Sequence, residues 1–292
     1  MTDRFASLPP GYAVHRIGDA VLVLDRAHAS DLVRLRLADP ASRRALFAQA
    51  VRRGRGQAPS VQLNPETSAV LRRYQHGGVL GPLTGRLFLG PTRALTELEV
   101  TARAEAAGAP VPRVLCLAMW PSIGPFWSAL IGTREERPAA ELLAVLQQTD
   151  DTDGRCALAE EVGVAVRRLH QAGVEHHDLQ LRNILVTAGA PRRIVLVDLD
   201  RAVFHRYAFV PTRRRASNLG RLARSVFKAG LWGARVGPRE RAAFLRGYLA
   251  GNRRLREELR AWVPLERLKL AAHRATYRPR GIRIGSRAVG TV

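Results

Sequence analysis

One polar loop and two short apolar runs constrain this chain more than any other feature. His176-His177-Asp178-Leu179-Gln180-Leu181-Arg182-Asn183 leads directly into Ile184-Leu185-Val186. A second run, Ile194-Val195-Leu196-Val197, ends on Asp198-Leu199-Asp200. Both runs have the length and β-branched content of strands, and Gly189-Ala190-Pro191 between them predicts a turn. The carboxylates therefore sit at strand ends, where side chains can converge on a metal and a substrate.

The chemistry that suits these residue types is phosphoryl transfer, which depends mostly on positioning and charge neutralisation. Asp178 can accept the proton of an attacking hydroxyl. Asp198 can hold Mg2+ against phosphates, because Mg2+ takes a few hard oxygen ligands from the protein. Asn183 adds a neutral oxygen ligand. A polar hairpin with scattered Asp and Asn is the plainer alternative. The joint spacing of Asp178, Asn183 and Asp198 favours the first reading, and the His-x-Asp-x-x-x-x-Asn pattern resembles the catalytic loop of the protein-kinase fold.

Lysine usage sharpens the expectation. Lys228 and Lys269 are the only lysines, and both follow the catalytic loop. A conventional protein kinase carries a lysine on an early strand, so here arginine must do that work or the site is dead. Arg72 is the candidate, in the alternating segment Ser68-Ala69-Val70-Leu71-Arg72-Arg73-Tyr74. A guanidinium can neutralise phosphates and pair with a carboxylate through two bonds. Arg73 should point to the opposite face. The carboxylate partner is expected on a helix over residues 92–108, with Glu97 chosen over Glu99 and Glu105; solvated helix charges are the alternative for all three. Upstream, Gly54-Arg55-Gly56 could cover a nucleotide, since glycines let backbone approach phosphate.

These segments together resemble the lipopolysaccharide kinase (Kdo/WaaP-like) family, and within it the 3-deoxy-D-manno-octulosonic acid (Kdo) kinases. The matching residues are Gly54-Arg55-Gly56, Val70 to Gly78, and Glu97 followed by Ala107 to Pro112. The match continues through His176-His177-Asp178-Leu179, Asn183-Ile184-Leu185, Val197 to Arg201, and Asn218 to Ser225. The resemblance implies an α+β, bilobal protein-kinase-like fold and ATP- and Mg2+-dependent phosphorylation of a Kdo hydroxyl. It implies Asp178, Arg72, Glu97 and His176 as catalytic residues, with His176 orienting the loop. Gly54, Arg55, Gly56 and Arg72 would meet ATP; Asn183, Asp198 and Asp200 are placed at the metal. Asp200 stands where a protein kinase has glycine, so an arginine is its other possible partner. Gln180 departs from the family pattern and could face the acceptor.

Composition is ordinary for a globular protein, at 46% hydrophobic and 25% charged, but the net charge is +22. Such a field attracts anionic partners. Arginine-for-lysine and alanine-rich usage, as a GC-rich genome writes it, is the competing cause. The expected partners are an anionic lipopolysaccharide precursor and the cytoplasmic face of the inner membrane, with no specific nucleic acid: no RNP, helix-turn-helix or zinc-finger signature is present. No signal peptide or membrane span is predicted, and Cys116 and Cys156 have no metal-ligand spacing. The expected organisation is an N-lobe over residues 1–131, a hinge over 132–138, a catalytic lobe over 139–263 and a basic tail over 264–292. A kinase acting on another acceptor, and a pseudokinase or anion-binding module, remain as alternatives.

Overall fold

The computed structural model describes residues 8–48, 52–53, 56–75, 87–205 and 209–276. The N-terminal part is built on an antiparallel sheet. Strands β1 (Tyr12–Ile17) and β2 (Ala20–Asp25) form a hairpin. After the short pair β3 (Arg52–Arg53) and β4 (Gly56–Gln57) come β5 (Ser60–Asn64), β6 (Thr67–Arg73), β7 (Phe88–Leu89), β8 (Val114–Pro121) and β9 (Phe126–Arg134). The spatial order is β1-β2-β8-β9-β6-β5, with β7 also on β9. Every residue of β2 is buried, because helices cover both faces of the sheet.

Period-two alternation sorts the apolar side chains between those faces. Val21, Val23, Leu117, Met119 and Ile131 pack against α3 (Thr92–Ala106) through Leu95 and Leu98. Leu22, Leu24, Leu71, Ala118 and Leu130 pack against Leu32 of α1 (Ala29–Arg34) and Phe47 of α2 (Pro40–Ala48). A register shift between Val114 and Cys116 puts Val114 and Leu117 on the same face despite their odd spacing. Each such side chain contributes about 1.5–3 kcal/mol by leaving water.

The C-terminal part is mainly helical. Helix α5 (Thr152–Gln171) starts at Asp151, whose carboxylate accepts from the amides of Asp153 and Gly154. Its stripe Leu158, Val162, Ala165, Val166 and Leu169 lies in the core. It crosses α7 (Pro238–Leu249) at a backbone-to-backbone contact. A Cβ on Gly163 would stand 2.2 Å from the Phe244 carbonyl, and one on Gly247 2.0 Å from the Glu160 carbonyl.

Several elements differ from the sequence expectation. Strand β9 continues to Arg134, into the segment expected as linker. The single helix expected over residues 139–148 is strand β10 (Ala139–Glu141) followed by α4 (Leu142–Gln148). Strand β10 extends the predicted hairpin, pairing with β12 (Ile184–Thr187), which pairs with β13 (Ile194–Leu196); β11 (Val174–Glu175) and β14 (Val203–Phe204) pair separately. Beyond α6 (Thr212–Lys228), the helix expected over 238–259 breaks at left-handed Ala250 into α7 and α8 (Arg253–Arg260). The basic tail is structured at its start: α9 (Val263–Thr276) lies against α6, with Glu266 accepting from Arg224 at 3.1 Å.

An apolar cavity of about 370 Å³ lies among α4 to α9, lined by residues including Leu146, Val162, Leu222, Phe244 and Trp262. Among the described residues, no helix is long and apolar enough to cross a membrane.

Candidate active site

The loop bearing Asp178 is fixed from below by side chains that leave no polar group of the loop's first residue to chance. His176 is fully buried. Its amide donates to Asn218 Oδ1 at 3.0 Å, its Nδ1 accepts from the Asp178 amide at 3.2 Å, and its Nε2 donates to the Val197 carbonyl at 3.1 Å. These bonds define the neutral Nε2–H tautomer, and burial lowers its pKa. His176 thus ties Asp178 to the residue before Asp198. Asn218 also meets His170 Nε2 at 3.3 Å, and His170 Nδ1 meets the Tyr248 hydroxyl at 2.8 Å. Burial pushes His170 down to about 3. Two turns along α6, Ser225 Oγ accepts from the Leu181 amide at 3.2 Å. One helix face therefore holds both ends of the loop.

Asp178 and Asn183 are brought together. Asn183 Nδ2 donates to the Asp178 carbonyl at 2.8 Å and to Asp178 Oδ2 at 3.2 Å. With its nitrogen so engaged, the amide oxygen is the group Asn183 can offer a cation. Gln180 Nε2 also donates to Asp178 Oδ2, at 2.8 Å. Gln180 therefore holds Oδ2 of the carboxylate and leaves Oδ1 open. Asp198 adopts φ 63, a left-handed conformation that Asp tolerates better than most residues.

Arg72 meets its carboxylate. Its Nη2 lies 2.5 Å from Glu97 Oε1 and 3.4 Å from Asp198 Oδ1. Tyr74, two residues on and on the same face, donates to Glu97 Oε2 at 2.5 Å. Arg73 points the other way, donating to the Arg43 carbonyl and lying 3.9 Å from the Phe47 ring centroid. Burial opposes the Arg72 charge, but Glu97 and then Asp198 outweigh it and raise its pKa. Burial raises Glu97, against the pull of Arg72 and Tyr74.

Asp200 meets an arginine, the other partner expected for it. Both its oxygens accept from Arg93 of α3: Nε donates to Oδ1 at 2.8 Å and Nη2 to Oδ2. That guanidinium takes one lone pair on each oxygen, so the Asp200 charge is paired within the protein. Gly54 and Arg55 lie outside the described residues, and Gly56 opens β4. The arginines of α6 do not form one free face. Arg215 is buried and donates to the Val210 carbonyl at 2.6 Å, Arg224 pairs with Glu266, and Arg213 lies over Trp262.

Tyr74, Arg93, Asn218 and Ser225 also join this network, and sequence reasoning gave none of them a role. Arg93 had a signal: it precedes Glu97 by one helical turn and so shares its face.

The donor set fits a magnesium ion. Asp198 Oδ1 is buried and accepts no hydrogen bond. Among the described residues no group of three or more His, Cys, Asp or Glu is arranged to hold a metal ion. The protein's offer is one carboxylate and one amide oxygen, which suits an ion that keeps water and takes substrate phosphates as ligands.

A sheet-based lobe joined to a helical one, with an Arg–Glu pair facing an Asp/Asn/Asp loop, defines a protein-kinase-like phosphotransferase that acts on a hydroxyl group. The chain belongs to the lipopolysaccharide kinase (Kdo/WaaP) family, whose model matches residues 43–248. It is 31% identical over 180 residues to a 3-deoxy-D-manno-octulosonic acid kinase of Vibrio vulnificus, covering 60% of this chain and 71% of that one. A protein of the same description from Xanthomonas campestris pv. campestris is 34% identical over 179 residues, covering 60% and 68%. A solved structure of WaaP in complex with acyl carrier protein shares the fold, with a TM-score of 0.61 and 23% identity over 88% of this chain and 99% of that one.

Proposed function

We propose that the protein transfers the γ-phosphoryl group of ATP to a hydroxyl of Kdo in the lipid A-linked inner core of lipopolysaccharide. The observation that carries this reading is the Asp178–Asn183 pair, set opposite Asp198 and Arg72, in a chain whose relatives are described as Kdo kinases. In this mechanism Arg72, fixed by Glu97, neutralises the inner phosphates of ATP. Asp198 and Asn183 would hold Mg2+, which supplies charge neutralisation on the phosphates when bound. Asp178, its Oδ2 held by Gln180 and Asn183, orients the acceptor hydroxyl and takes its proton at Oδ1. The net charge of +22 suits an anionic acceptor and peripheral attachment to the cytoplasmic face of the inner membrane.

The apolar cavity supports a second contact. WaaP is seen in complex with acyl carrier protein, and here the cavity's lining suits an acyl chain.

Phosphate transfer from labelled ATP to a Kdo-bearing lipid A precursor tests the reading, with Asp178→Ala beside the wild type. Transfer by the wild type, lowered about 10²–10⁴-fold in the variant with ATP affinity kept, is expected. A wild type that binds ATP and labels a heptose or another sugar instead would replace the acceptor. Undiminished transfer by Asp178→Ala would remove Asp178 as the base.

A further inference from the structure

Helix α3 lacks the local features that usually secure a helix start. Pro91 occupies the N-cap position without a side-chain cap, and no acidic residue lies in the first turn. Arg93 adds a positive charge there, where the helix dipole disfavours one. The missing anion comes from the other lobe: Asp200 closes on Arg93 through both oxygens. The pair is well shielded, with Arg93 25% and Asp200 16% exposed.

The loop that supplies Asp200 is itself under constraint. Asp198 and Arg201 both have positive φ, 63 and 72, and Arg201 has no special tolerance for it. Leu199 between them is 2% exposed. Such a turn persists only where its surroundings over-determine it. Two arginines do so here, Arg72 at Asp198 and Arg93 at Asp200. Arg93 and Glu97 are one turn apart on α3, so whatever sets Arg93 against the loop also sets Glu97 against Arg72. The network contains two guanidinium groups and three carboxylates, Glu97, Asp198 and Asp200. One net negative charge remains, which suits a divalent cation accompanied by phosphates. Without Arg93, Asp200 would be a second unpaired carboxylate beside the nucleotide phosphates.

We propose that Arg93 is a positioning residue: its pair with Asp200 clamps α3 to the Asp198 loop, holds the Arg72–Glu97 pair in register, and keeps the Asp200 charge away from ATP. The role in nucleotide binding rests on the kinase reading above; the clamp itself does not.

The test is a mutant cycle of Arg93→Ala, Asp200→Asn, both together, and the charge swap Arg93→Asp with Asp200→Arg. Amide hydrogen exchange of the ligand-free proteins reads the clamp. ATP binding by calorimetry, with Mg2+ and with EDTA, reads its consequence. Each single substitution is expected to speed exchange in residues 92–106 and 198–202 about tenfold and to weaken Mg2+–ATP binding by a similar factor. The double variant should do no more than either single, because the two act through one contact. The swap should recover at least part of both losses. Unchanged exchange, or single effects that multiply, would overturn the clamp. Faster exchange with unchanged Mg2+–ATP affinity would reduce it to a structural tie and overturn the positioning role. Asp200→Asn, nearly isosteric, keeps the test open if Arg93→Ala does not fold. A wild type that binds no ATP would refute the kinase reading while the exchange data still judged the clamp.

Discussion

Replacing Glu97 with glutamine should raise the Mg2+ requirement of the reaction. Arg72 Nη2 is held between two carboxylates, 2.5 Å from Glu97 and 3.4 Å from Asp198. With an effective dielectric constant of about 20, those separations correspond to roughly 7 and 5 kcal/mol of attraction. Glutamine keeps the shape and removes the stronger pull. Arg72 is then free to close on Asp198, and shortening that contact to an ordinary ion-pair distance of about 2.8 Å gains roughly 1 kcal/mol. That gain must be given up each time Asp198 engages Mg2+, so half-saturation should need about fivefold more Mg2+. The assay is phosphate transfer at saturating ATP across a Mg2+ titration. Adding Arg72→Ala to Glu97→Gln should bring the Mg2+ requirement back down, although turnover stays low. An unchanged Mg2+ dependence in Glu97→Gln would refute the reasoning.

Two further outcomes concern stability. His170 is buried neutral with its pKa pushed from 6.5 down to about 3, so the unfolded chain binds the proton first. Stability should therefore fall as pH drops below about 6.5, by up to about 1.4 kcal/mol per pH unit from this group; urea midpoints at pH 7, 6 and 5 would show it. Gly163→Ala would drive a Cβ to 2.2 Å from the Phe244 carbonyl, a backbone atom that cannot step aside. The expected loss is about 3 kcal/mol, or a Tm lower by about 5 °C in thermal scans.

The parts of the site legible in the sequence are those carried by short spacing. Asp178, Asn183 and Asp198 flank one hairpin, so local pattern placed them. Arg72 could be named because no lysine precedes the loop, and strand alternation separated it from Arg73. Glu97 was a choice among three helical glutamates. The structure shows why it differs from them: it is the one buried under Tyr74 and Arg72. What spacing could not reveal is long-range pairing. Arg93 and Asp200 are 107 residues apart, and neither residue alone says which element will face it. Asn218 was visible only as a letter in a motif; its work depends on two histidines arriving at one carbonyl oxygen. The break at residues 141–142 was missed because Ala139 and Ala140 favour a helix, and pairing with β12 overrides that preference. The start of the tail was not legible because Glu266 is tied to Arg224, 42 residues away in the sequence.

The glycine crossing of α5 and α7 has a consequence in genetic terms. One base change turns any glycine codon into an alanine codon, and such changes would pass unnoticed where the glycine has negative φ and open space around it. At Gly163 and Gly247 they would not, because the added methyl meets main chain on the facing helix. Mutational drift toward alanine is thus strained at the glycines with positive φ by their own backbone, and barred at these two positions by main chain. A scan of random variants should find them intolerant, although neither lies near the phosphates.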